Sequence, residues 1–106
     1  MLIYHVALPD EWEKFKGRPS YQPESLALEG FIHCSYENQL EGVLKRYFSE
    51  HDRVLILTIE TNTLLSKLVE EPSTNNETFP HIYGRLNQNC VISVEERHLN
   101  RNAAAN

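Results

Sequence analysis

The chain has 106 residues, 41% of them hydrophobic and 24% charged, with a formal net charge of −5. That is a single domain, able to bury roughly 60–70% of its unfolded surface without disulfide or metal staples. The acidic balance excludes broad binding along a phosphate backbone, which needs clustered Lys and Arg, while one or two arginines could still hold a small phosphorylated ligand.

The opening MLIYHVALPDEW has no basic leader region, and no apolar run in the chain approaches the roughly 20 residues of a membrane span. Within it, Leu2 to Leu8 has the residue types of a strand. Leu2, Tyr4, Val6 and Leu8 alternate with Ile3, His5 and Ala7, so if the first set meets the core, His5 points to the other face. PDEWEKFKG predicts a short helix begun by Pro9 and Asp10 and ended at Gly17. GRPSYQPES is a loop, and SLALEG one helical turn closed by Gly30. FIHCS is a strand, with Ser35 a good N-cap for the helix after it. From Tyr36 to Phe48, Leu40, Val43, Leu44, Tyr47 and Phe48 recur at helical spacing and predict an amphipathic helix. RVLILTIE, Arg53 to Glu60, is a strand covered on both faces. TNTLLSKLVEEP is expected as a short helix or irregular turn stopped by Pro72. STNNET is a polar loop. FPHIYGRL is a short strand, expected to lie at a sheet edge or to start at Pro80, which lacks a backbone donor. CVISVEERHL is a last strand with Cys90, Ile92 and Val94 on one face. Strands and helices mix without a regular βαβ rhythm, so the class is α+β. The expected layout is one domain over 1–98, with small mixed or antiparallel sheets, and a flexible tail over 99–106. No GxGxxG or P-loop cradle for phosphates is present.

Three of the five histidines, His5, His33 and His81, sit inside apolar strand-like segments. A single such residue reads as a hydrogen-bonded core histidine. Three of them fit a shared polar pocket if their strands are neighbours. No HxxxH or HExxH accompanies them, so no metal is expected. Cys34 follows His33 directly in a strand, which turns their side chains to opposite faces. With His33 toward the pocket, Cys34 faces the core. Cys34 and Cys90 read as buried free thiols of a reducing compartment, hence a cytoplasmic protein. His33 and Ser35 share a face, and an imidazole and a hydroxyl two residues apart can grip a ribose, a role compatible with capping. Tyr4 and Tyr83 are either plain strand tyrosines or stacking surfaces for a flat ring. Arg85 is either a surface arginine or a phosphate contact. His51 and His98 lie among charges and are expected in solvent.

IYHVA, the Trp of EWEKF, YQPESL, EGFIHCS with Gln39 after it, and FPHIYGRL together resemble the domain of unknown function 952 family, over nearly the whole chain. At fold level that family is similar to the ADP-ribosyltransferase superfamily, including the RNA 2′-phosphotransferases. The resemblance implies that His5 matches a first-strand position that holds a ribose of NAD. His33 with Ser35 matches a second position near the nicotinamide side. FPHIYG places His81 where the transferases usually offer a glutamate. Glu70 and Glu71 are near in sequence, but the sequence places neither in the cleft.

The expectation is a cleft binding NAD or a related nucleotide, with transfer of an ADP-ribosyl, ribosyl or phosphoryl group. His81 and His33 are the catalytic candidates, His81 as general acid–base. His5, Ser35, Tyr4, Tyr83 and Arg85 are the ligand-binding candidates. The alternative is a non-catalytic binding module with the same cleft. The protein is expected to be a monomer or weak dimer, with a small nucleotide-like ligand and neither membrane nor nucleic acid as a partner.

Overall fold

The computed structural model describes residues 1–99, with Thr74 described by its backbone alone. Of the expected tail, residues 100–106 lie outside the described residues. Among the described residues, eight strands form three antiparallel sheets. In the first, β1 (Leu2–Ala7), β4 (Arg53–Glu60) and β8 (Val91–His98) lie in the order β1-β4-β8. In the second, β3 (Ile32–His33), β6 (Thr78–Tyr83) and β5 (Lys67–Pro72) lie in the order β3-β6-β5. A small third sheet pairs β2 (Ser20–Tyr21) with β7 (Leu86–Asn87). The α-helices among the described residues are α1 (Pro9–Glu13), α2 (Glu24–Glu29) and α3 (Leu40–Tyr47). None of them is long and apolar enough to cross a membrane.

The strand RVLILTIE works on both faces, as its continuous apolar run implies. Leu57 and Ile59 join Ile3 and Ala7 of β1 and Ile32 and Ile82 of the second sheet in the main core. Val54 and Ile56, on the other face, meet Val6 and the helix residues Leu40 and Leu44 in a second core. In β1 the set Ile3, His5 and Ala7 therefore faces the main core, and Val6 the second. The second core is smaller than the helical spacing implies, because Tyr47 is 56% exposed.

Several elements depart from expectation. Residues 67–72, expected as helix or turn, form β5. A 3₁₀ turn over Thr61–Thr63 precedes it. Leu68 lies opposite Ile82 and packs against the main core, while Lys67, Val69 and Glu71 alternate to the other face. The pairing with β6, which no local pattern announces, makes this segment a strand. β6 is central rather than at an edge. Its proline is tolerated because β3 ends opposite it. His33 pairs with His81, so Cys34 meets Pro80 and donates its N–H to the Pro80 carbonyl at 3.1 Å. Pro80 returns no donor, and the ladder stops there. The next residue, Ser35, turns to Tyr4 of β1, and the two exchange backbone hydrogen bonds of 2.8 and 2.7 Å. Ser35 is thus a sheet residue and not the N-cap. Helical structure begins after Tyr36 with a 3₁₀ turn over Glu37–Gln39, where Gln39 Oε1 accepts from the Tyr36 N–H at 3.0 Å. Cys90 lies in a 3₁₀ turn before β8 and is fully buried, whereas Ile92 and Val94 are 59% and 46% exposed. The expected single face of those three does not form.

Candidate functional site

The site is built on the face of the second sheet that points away from the main core. α2 ends at Gly30, whose φ of 87° is the left-handed conformation that glycine adopts at no steric cost. This turn delivers Phe31 and β3. His33 then lies beside its pairing partner His81, with ring centroids 5.5 Å apart and nearly perpendicular. Phe31 stacks on the His81 ring at 4.2 Å and 24° and meets the His33 ring edge-on at 4.8 Å.

Each histidine has its own carboxylate. Glu29 Oε2 lies 2.6 Å from His33 Nε2, and Glu71 Oε1 lies 2.8 Å from His81 Nδ1. Tyr83 donates its hydroxyl to the same Glu71 oxygen at 2.6 Å. The Tyr83 and His81 hydrogen bonds hold the Glu71 carboxyl below the usual carboxylate range, and Glu71 in turn pushes the Tyr83 phenol up. A carboxylate only accepts, so whenever the His81 ring is neutral its proton sits on Nδ1. That tautomer leaves Nε2 as an acceptor.

His5 is fixed differently. Its Nδ1 lies 2.7 Å from the His33 carbonyl oxygen and its Nε2 lies 3.0 Å from the Tyr21 hydroxyl. The carbonyl requires Nδ1 to donate, so Nε2 accepts from Tyr21. Burial pushes the His5 pKa down to about 4 and keeps the ring neutral. Burial first, then the Glu11 carboxylate, pushes the Tyr21 phenol up. Both nitrogens of His5 are thus occupied by protein, and the ring ties β1 to the strand that carries His33.

The three histidines and Glu29 border one cavity of about 490 Å³, whereas Tyr21, Phe31 and Glu71 lie outside its described lining. His5, His33, Ser35 and His81 all line it, between α2, the hairpin of β5 and β6, and the face of α3 that carries Val43. Tyr4, Tyr83 and Arg85 are not among the described lining residues. Tyr4 packs against the second core. Tyr83 lies over Glu71 in a separate shallow groove with Lys67 and Val69, and Arg85 is exposed. Cys34 borders the cavity but packs in the main core, where burial pushes its thiol up and keeps it protonated.

The sequence reading missed Glu29, Phe31 and Glu71 as partners of the two histidines. Glu29 lies four residues before His33, across a helix–strand junction where helical spacing rules do not apply. Glu71 becomes visible only once KLVEEP is paired with TFPHIY.

The fold is shared with CC0527 from Caulobacter crescentus. Its crystal structure superposes with a TM-score of 0.82 at 26% identity, covering 91% of this chain and 85% of that one. A double-methionine mutant of CC0527 gives 0.81 at 25% identity over the same shares. Its solution NMR structure gives 0.73 at 26%, covering 92% of this chain and 83% of that one. No curated protein matches the sequence. The profile of the family described as "Protein of unknown function (DUF952)" matches residues 6–94, and the chain belongs to that family.

Proposed function

We propose that the cavity binds the ribosyl–nicotinamide part of NAD or a related nucleotide and cleaves its N-glycosidic bond, in the manner of the ADP-ribosyltransferases, the superfamily whose fold the family is expected to share. The observation that carries this reading is the pair of opposed histidines, His33 and His81, each oriented by its own carboxylate at the wall of one nucleoside-sized cavity. The bond between C1′ and the ring nitrogen breaks with its electron pair leaving on the nicotinamide. The ribosyl centre becomes oxocarbenium-like, and the Glu29 carboxylate lowers the energy of that positive charge. Water or an acceptor hydroxyl adds at C1′, and His81 Nε2 takes its proton as general base. Glu71 keeps the His81 ring in the tautomer that leaves Nε2 free.

Incubation with NAD and chromatography of the products tests this. Nicotinamide release by the wild type, lost in His81→Asn and His33→Ala, is the expected result. Absence of release under conditions where NAD binds rules out catalysis and selects the second reading, a binding module without turnover. One observation favours that alternative: His5, which the resemblance assigns to the ribose, has both nitrogens engaged by His33 and Tyr21.

A further inference from the structure

We infer that the cavity selects a positively charged nitrogen heterocycle on its ribose and has no place for phosphate, so that a nucleotide binds through its nucleoside part alone. This rests on the proposal that the cavity is the ligand site and adds what that ligand's charge must be. Glu11, Glu24 and Glu29 line the cavity, and no Lys or Arg is among its described lining residues. Two of these acidic side chains, Glu11 and Glu29, are held in place. Glu11 accepts the Glu24 backbone N–H at 2.7 Å, and Glu29 is fixed on His33 at 2.6 Å. Phe79, almost wholly buried, and Phe48 also line the cavity and supply aromatic surface. Aromatic faces together with carboxylates are the chemistry that recognises organic cations, through the ring quadrupole and through direct charge attraction in a partly closed site.

A second feature points to a ligand independently of the carboxylates. His81 is about nine-tenths buried and borders the cavity, and its Nδ1 is taken by Glu71. With Nδ1 so engaged, a neutral ring keeps Nε2 as an acceptor, in a residue that borders a cavity with no Lys or Arg among its described lining residues. A phosphate entering this space would meet three carboxylates and no guanidinium or ammonium group, a like-charge arrangement that suppresses binding. A neutral isostere of the cation keeps the stacking and loses the attraction. The phosphates of a nucleotide therefore contribute nothing here and remain at the mouth.

Calorimetric titration with three probes tests the inference: nicotinamide riboside, its neutral dihydro form, and NAD. The riboside is expected to bind at least tenfold more tightly than the dihydro form and no more weakly than NAD. Its affinity should fall with added salt while that of the dihydro form stays level. Glu29→Gln, checked to melt as the wild type does, should bring the two ribosides to within about threefold of each other. Equal binding of charged and neutral ribosides overturns the charge selection. Tenfold tighter binding of NAD than of the riboside also overturns it, by revealing a phosphate subsite, and leaves the proposed function standing. If none of the three binds, both the selection and the ligand reading fall.

Discussion

A neutral, buried histidine whose nitrogens both serve the protein makes stability depend on pH. The folded pKa of His5 is about 4 against an ordinary 6.5, because burial disfavours the charged ring. Between those values the unfolded chain binds more protons, so the His5 contribution is complete above about pH 6.5 and is lost as pH falls toward 4. The difference amounts to about 3 kcal/mol. Urea melts of wild type and His5→Asn across that range check this. The variant should be less stable near neutrality by roughly 1–3 kcal/mol, having lost the Tyr21 partner, and its curve should be flatter in acid. Parallel curves would show that His5 does not carry the dependence. At His81, Glu71→Ala removes the acceptor for Nδ1–H. The ring should shift toward the Nε2–H tautomer that a neutral imidazole prefers in water, visible in its ¹⁵N shifts. Unchanged shifts would mean that Glu71 does not set the tautomer. The histidines and Ser35 were legible because polar residues in apolar strands stand out. Their carboxylate partners were not, because glutamates are common on surfaces and only pairing register brings Glu71 to His81.

At the scale of elements, local pattern was informative where burial follows one period and failed where pairing decides. Leu40 and Leu44 identify α3, and β4 was read end to end from its apolar run. KLVEEP carries only two apolar residues among charges, so its strand character comes from β6. Pro80 argued for an edge, but a central strand accepts it because β3 ends at that point. Leu44 is 5% exposed in the second core. Its replacement by Ala should cost about 2–5 kcal/mol in denaturant melts, and a loss under about 0.5 kcal/mol would show that the helix face is misassigned. Gly84, directly after β6, has a φ of 148°, and a Cβ there would lie 2.5 Å from Ser66 Oγ. Gly84→Ala should cost about 1–3 kcal/mol through combined backbone and steric strain, read as a lowered urea midpoint with an unchanged slope.

Across the whole molecule, β4 belongs to both cores, so neither core can dissolve while the other keeps its strand. Trp12 reports on the main core, where it packs 5.0 Å from the Tyr21 ring, while far-ultraviolet circular dichroism reports on all elements. The two signals should share one thermal transition. Leu44→Ala, made in the second core, should move both by the same amount. A Trp12 transition that stays in place while the other shifts would mean that the cores unfold separately.

The seam between the two large sheets has a consequence for how occupancy of the cavity can be seen. Tyr4 and Ser35 exchange two backbone hydrogen bonds there, and Ser35 is also a cavity wall. Any opening of the cavity that parts the sheets must break these bonds first, and a molecule filling the cavity opposes that opening. Amide protons of Tyr4 and Ser35 should therefore exchange with deuterated solvent more slowly when a ligand is bound, while those on the outer strand β8 keep their rates. Two amides thus serve as a built-in occupancy gauge that works for any ligand, before its identity is known.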